Sequence, residues 1–256
     1  MTDFKQFTER FKMLTGIDLE HYNKNQIQRR LNVFRQKYQF HTLPDLLAGI
    51  EKNAALRQEC IRRLTINVTG FFRDPEHWQV LKNYLREMGK YQVPVRLWSA
   101  GCATGEEAYS LAWLAMTTLP KNTWELLASD LDADVLNTAR AGVYTAKAVK
   151  GVDAKTLPLM FQRTGSDLYS VKPHIRERVR FFRHDLLRDQ YPFHVDVILC
   201  RNVLIYFIEK TKKKVISNLA QALNPGGILF LGSSEQIIGP DKYGLVNENV
   251  FFYRKK

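Results

Sequence analysis

The stretch Ser99-Ala100-Gly101-Cys102-Ala103-Thr104-Gly105-Glu106-Glu107 sets two glycines four positions apart and ends on two adjacent carboxylates. It follows an apolar run, Val95 to Ser99, and opens a helical pattern, Glu106 to Thr118. Glycines at such a turn let the backbone approach a ligand closely and expose the amides of a helix N-terminus. The spacing is not the GxGxxG of a dinucleotide site, and two glutamates would repel a pyrophosphate, which disfavours NAD or ATP. A ligand with positive charge fits better. Asp130 stands 25 positions beyond Gly105, directly after a second apolar run, Leu126 to Ser129. An acid there suits a ribose, whose two hydroxyls it can accept, although it could equally cap a helix beginning near Asp132. An adenosine ligand that is cationic at its other end is S-adenosylmethionine, which leaves S-adenosylhomocysteine after methyl transfer.

Positioning these residues takes an open α/β sheet, in which ligands sit beyond the carboxyl ends of the strands. The chain has 256 residues, 45% of them hydrophobic, enough for one large domain and a smaller one. Apolar residues recur at helical spacing from Phe4 to Phe72, in the sets Phe4, Phe7, Phe11, Leu14; Ile27, Leu31, Phe34, Tyr38; and Leu43, Leu46, Leu47, Ile50. This predicts an all-α N-terminal domain over 1–75, followed by a helical linker over 76–93. Beyond it, strands at Val95–Ser99, Leu126–Ser129, Val179–Arg183, Val195–Cys200 and Ile228–Gly232 alternate with helices at Glu106–Thr118, Ala133–Ala141 and Ile208–Leu223. That alternation predicts a doubly wound, mostly parallel sheet over 94–256. A small antiparallel β insertion is expected at about 143–178, turning at Thr164-Gly165-Ser166-Asp167, and the terminal VFFYRK suits an antiparallel edge strand.

A formal charge of +12 points to a polyanionic partner. Cys60, Cys102 and Cys200 are odd in number and widely spaced, which predicts reduced thiols and neither a disulfide framework nor a zinc site. No histidine has metal-ligand spacing, and no apolar run suits a signal peptide or a membrane span, so a cytoplasmic protein is expected.

Five blocks now stand in order along the chain: Asn67-Val68-Thr69-Gly70-Phe71-Phe72-Arg73-Asp74, SAGCATGEEAYS, ASDLD, Cys200-Arg201-Asn202-Val203-Leu204-Ile205-Tyr206-Phe207, and GSSE. Together they resemble the CheR family of chemotaxis receptor glutamate methyltransferases. The resemblance implies a Rossmann-like class I methyltransferase domain with a β insertion, preceded by an all-α domain. It implies cofactor contacts from Asn67, Thr69, Arg73, Glu107, Asp130, Asp185, Leu186, Asn202 and Val203, and places Arg73 and Tyr206 beside the transferred methyl group. The implied partner is the cytoplasmic helical bundle of chemotaxis receptors, met by a monomer. In some members the insertion docks the receptor's C-terminal peptide through a longer loop than Arg163–Leu168, so tethering is not expected here.

Each position also has an ordinary reading. Glu106 suits a helix N-terminus in any case; Phe71, Phe72, Ile205 and Phe207 suit a core; Tyr206, if buried, needs a hydrogen-bond partner; Cys102 and Cys200 suit small buried sites. A nucleic-acid methyltransferase would carry an Asn/Asp-Pro-Pro-aromatic or catalytic-cysteine block where CRNVLIYF stands, so no nucleic-acid substrate is expected. A non-catalytic sensor of the cofactor would have no use for Arg73 and Tyr206. Finally, His21 to Phe40 holds Lys24, Arg29, Arg30, Arg35 and Lys37 and no acid. Lys24, Arg30, Arg35 and Lys37 flank its apolar stripe, where they could steer an acidic receptor helix.

Overall fold

The computed structural model describes residues 3–65, 69–91, 93–121 and 123–256. The chain divides into two compact units, one of residues 1–67 with Leu204–Lys214, the other of 68–203 with Val215–Lys256.

The first unit is helical: α1 (Asp3–Thr15), α2 (Lys24–Lys37), α3 (Leu43–Lys52) and α4 (Ala54–Thr65). Side chains set the boundaries. Asn23 caps α2 by accepting from the amides of Asn25 and Gln26, and Thr42 with Asp45 forms a reciprocal capping box on α3. The predicted stripes close on one another, burying Phe7, Phe11, Ile27, Leu31, Phe34, Leu46 and Ile50. Leu14, 36% exposed in the last turn of α1, and Tyr38 depart from their stripes. Helix α2 ends at Lys37, so Tyr38 becomes the C-terminal cap residue, 37% exposed, with its ring 4.7 Å from Phe34. Leu204–Lys214 joins this unit through backbone bonds from Asn23 N to the Tyr206 carbonyl and from Ile208 N to the His21 carbonyl.

In the second unit α5 (Pro75–Gly89) precedes β1 (Val95–Ala100), α6 (Glu106–Thr118), β2 (Trp124–Asp130) and α7 (Ala133–Ala141). The insertion follows: β3 (Val143–Thr145), α8 (Ala146–Val149), α9 (Leu157–Met160), β4 (Phe161–Arg163), β5 (Leu168–Val171) and α10 (Pro173–Arg176). Then come β6 (Val179–Arg183), β7 (Val195–Cys200), α11 (Glu209–Ala222), which starts in the first unit, and β8 (Leu223–Leu231), β9 (Leu245–Asn249) and β10 (Phe252–Lys255). The main sheet has the order β6-β2-β1-β7-β8-β10-β9, parallel from β6 to β8. Strand order reverses between β1 and β7, which makes the carboxyl end of β1 the switch point where ligands bind in such sheets.

The expectation for the chain terminus needs correction. β10 does run antiparallel to β8, but β9 covers it and forms the edge. Only Leu245 of β9 is buried, so that strand has no apolar run to announce it. The insertion is a three-stranded antiparallel sheet in the order β3-β5-β4. Its four-residue helices carry too little periodicity to be read from sequence. Its aromatics reach the glycine loop: the Tyr144 hydroxyl donates to the Thr104 carbonyl at 2.7 Å, and Phe71 makes edge contacts with Tyr144 and Phe161.

Candidate active site

The loop after β1 is held by the end of β2. The amides of Gly101 and Cys102 both donate to the Ser129 carbonyl, at 2.8 and 2.9 Å, and the Ala103 amide donates to Asp130 Oδ2 at 2.9 Å. Gly101 (φ +83°) and Gly105 (φ +95°) sit in the left-handed region that glycine tolerates. Space decides as well: a Cβ on Gly101 would lie 2.5 Å from Val203 Cγ2. The glycine therefore lets the β1 loop and the β7 loop approach each other.

Asp130 is 9% exposed, and its Oδ1 accepts the Asp132 amide at 3.0 Å. The helix cap is Asp132, which accepts the Asp134 amide, so capping is not the task of Asp130. With Ala103 and Asp132 among its amide donors, the carboxylate still keeps lone pairs for further donors, which fits a ribose diol. Burial pushes its carboxyl up to about 6, with the amide bonds acting in the opposite direction. Since this lies above the unfolded value near 3.8, the group's stabilising contribution to the free fold is complete below about pH 3.8 and is lost as pH rises through about 6. Ligand binding runs the other way, because the ionised form accepts the hydroxyls. We expect S-adenosylmethionine affinity, followed by calorimetry between about pH 8 and pH 5, to fall as pH drops through about 6. A flat profile would separate this carboxylate from the ribose.

Glu107 is buried in the first turn of α6, where Ser99 Oγ donates to its Oε1 at 2.8 Å. Burial raises its proton affinity, while Arg201, with a terminal nitrogen 3.6 Å from Oε2, and the Ser99 bond lower it. A further cation would favour its charged form, as a ligand ammonium would supply. Glu106 instead takes the Thr104 hydroxyl at 2.7 Å.

The remaining predicted residues fall in several places. Asn202, in a left-handed conformation (φ +60°), and Val203 follow β7 beside the glycine loop. The Asp185 Oδ1 accepts the Leu187 amide, the Leu186 carbonyl accepts the Tyr191 hydroxyl, and the neighbouring His184 amide bonds the Asp130 carbonyl, which draws this pair to the same end of the sheet. Thr69 is half-buried, Arg73 is exposed, and Asn67 lies outside the described residues. Phe71 and Phe207 are buried as expected, whereas Phe72 and Ile205 are half-buried. Cys102 and Cys200 are buried, and burial together with nearby carboxylates raises their thiols, so they are protonated at neutral pH. Among the described residues no group of three His, Cys, Asp or Glu could hold a metal ion.

Tyr206 belongs to the helical unit, where it finds the partner that a part-buried phenol requires. The Arg30 guanidinium stands 4.7 Å from its ring centroid and hydrogen-bonds its hydroxyl, and Arg30 also donates to the Leu64 carbonyl. Arg30 is thereby occupied within its own unit, as is Arg35, which donates to the carbonyls of Phe40 and His41. Lys37 pairs with Glu59 at 3.5 Å, and Lys24 stands 5.6 Å from the Phe4 ring centroid.

Two site residues escaped the sequence reading. Glu235, in the GSSE block, accepts the amides of Asn202 and Gly232 at 2.7 and 2.8 Å and so fixes the turn after β7. Arg201 is a buried cation between the carboxylates of Asp74 and Glu107. Its signal was a charged residue directly after the apolar run Val197–Cys200.

A doubly wound sheet, a glycine loop at its switch point, a buried carboxylate opening the next helix and an acid after β2 form the layout of an S-adenosylmethionine-dependent methyltransferase. The all-α unit ahead of it narrows the class. The profile for the CheR methyltransferase SAM binding domain matches residues 67–252, and that for the CheR methyltransferase all-alpha domain matches residues 2–65. The chain belongs to the CheR methyltransferase family. It is 37% identical over 255 residues to a chemotaxis protein methyltransferase of Listeria monocytogenes, covering 99% of this chain and 97% of the relative. It is 32% identical to one of Vibrio parahaemolyticus, covering 96% and 94%. The chain is thus a chemotaxis protein methyltransferase that uses S-adenosylmethionine.

Proposed function

We propose that this methyltransferase esterifies glutamate side chains on the cytoplasmic helices of chemotaxis receptors, working as a cytoplasmic monomer. The observation that carries the reading is the distribution of charge. The helical unit, residues 1–67 and Leu204–Lys214, holds sixteen Lys and Arg against eight Asp and Glu, a net +8, whereas the larger unit is only +4. Such a surface would attract a helix that displays glutamates.

The chemistry needs little from the protein. When bound, the cofactor supplies an electrophilic sulfonium methyl, and a glutamate carboxylate is already ionised at neutral pH, so no general base is required. The protein's work is to hold the two in line, for which effective molarity can supply roughly 7–11 kcal/mol. In this reading Asp130 holds the ribose, Glu107 the ammonium, and Asp185, Leu186, Asn202 and Val203 line the rest, with Asn67 and Thr69 contributing from the block before α5. Arg73 orients the incoming carboxylate with its planar fork, and Tyr206 gives a second polar contact. Too tight an Arg73 contact would stabilise the ionised ground state, so orientation is its role.

Of the basic side chains on α2, Arg30, Arg35 and Lys37 already serve their own unit, which moves docking toward Lys24 and the exposed Arg29. We expect Lys24→Glu combined with Arg29→Glu to cut methylation of receptor fragments at least tenfold at low salt without changing cofactor affinity. The unmodified enzyme should slow as salt screens charges beyond about 10 Å. Methylation of the fragments at the normal rate by the charge-reversed enzyme would move docking elsewhere. Preferential transfer to nucleic acid would overturn the proposed substrate.

A further inference from the structure

Arg201 follows β7 directly, is only 6% exposed, and has no task in the chemistry above. Its guanidinium donates to Asp74 Oδ2 at 2.6 Å and to the Arg73 carbonyl at 3.1 Å, and its carbon lies 4.6 Å from the Phe230 ring centroid. Its other terminal nitrogen is 3.6 Å from Glu107 Oε2. A buried guanidinium is tolerated where carboxylates surround it, and a single one would serve a purely structural ion pair. Here there are two, and they come from different working parts of the site.

Asp74 is the more telling partner. It occupies the N-terminal cap position of α5, where an aspartate ordinarily accepts a helix amide, yet its side chain makes no capping bond. It is committed to Arg201 instead. The loop it closes has an unusual backbone: Phe72 (φ +48°) and Asp74 (φ +57°), the two neighbours of Arg73, both lie in the left-handed region, which is disfavoured for the bulky Phe72. External bonds maintain it, from the Phe72 amide to Ser110 Oγ and from Trp78 Nε1 and Arg201 to the Arg73 carbonyl. Of these, only Arg201 also faces Glu107.

From this geometry we infer that Arg201 is a positioning residue that ties the backbone of the Arg73 loop to the carboxylate of Glu107, so that filling the ammonium site and presenting Arg73 are coupled. A ligand ammonium arriving at Glu107 shares that carboxylate with Arg201, which turns the guanidinium's unshared charge toward Asp74 and tightens the loop. The inference rests on reading Glu107 as the ammonium ligand.

Asp74→Asn tests it, because the variant weakens the loop arm and leaves Glu107 intact. With labelled S-adenosylmethionine and a receptor cytoplasmic fragment, kcat should fall about tenfold or more while the Kd for S-adenosylhomocysteine stays within about threefold. Asp74→Glu should recover part of the rate. In an Arg73→Ala background, Asp74→Asn should cost less than about twofold, since the side chain it positions is gone. Unchanged kcat in Asp74→Asn, equal losses of rate and affinity, or a full additional loss in the Arg73→Ala background would overturn the inference. Glu107→Gln decides the underlying reading separately. It should weaken S-adenosylhomocysteine binding about tenfold, and unchanged binding would remove both the ammonium site and the coupling, whatever Asp74→Asn shows.

Discussion

With Arg73 replaced by alanine, methyl transfer to receptor fragments will fall about a hundredfold at saturating cofactor, the loss expected when a reacting group is misplaced by about 1 Å. Cofactor affinity will fall much less. The two can separate because the structure anchors this loop by its backbone: Trp78 and Arg201 bond the Arg73 carbonyl, not its side chain, which is exposed. Truncation therefore leaves the loop's supports and the Asp130 and Glu107 carboxylates in place. Tyr206→Phe should act in the same direction with a smaller loss, since it removes one hydroxyl and keeps the ring over which Arg30 stands. Single-turnover rates beside calorimetric affinities will decide the matter. Parallel losses in rate and affinity for Arg73→Ala would make that side chain a cofactor ligand instead of an orienting group.

Asp130→Ala will weaken S-adenosylmethionine by roughly 1–3 kcal/mol, between about five- and 150-fold, because two ribose hydroxyls lose a charged acceptor. The same change orphans two buried amides, those of Ala103 and Asp132, so the variant will also be less stable. Asp130→Asn is the cleaner companion. Its carbonyl can still accept one amide, and a Tm close to that of the unmodified protein with reduced affinity would locate the loss in the ligand contact. Unchanged affinity in the folded variants would leave Asp130 with only its backbone role, holding the glycine loop against the end of β2.

The features legible in the amino-acid chain are those written in neighbouring positions. Helical spacing found the stripes of α1, α2 and α3, because residues three and four apart share a face whatever packs there. The glycine loop, the carboxylates at 106 and 107 and the acid after β2 were legible because a strand-to-loop junction puts nearby residues at the end of a sheet. The limits were of the same kind. β9 had no apolar run, and the short helices of the insertion are a single turn each, too brief for a period.

The choice between partners was made by contacts between residues far apart in the chain. Asp130 or Asp132 could each have capped α7, and which one did depended on the Ala103 amide, 27 positions from Asp130. Arg30 read as a solvated docking charge until the segment after β7 brought Tyr206 to it. Arg201 and Asp74, 127 positions apart, meet because Arg201 follows β7 beside the switch point while Asp74 closes the loop ahead of α5. A charged side chain advertises in sequence that it needs a partner. Which partner it takes is set by burial, since removing a guanidinium from water is tolerable only where the fold delivers carboxylates to meet it.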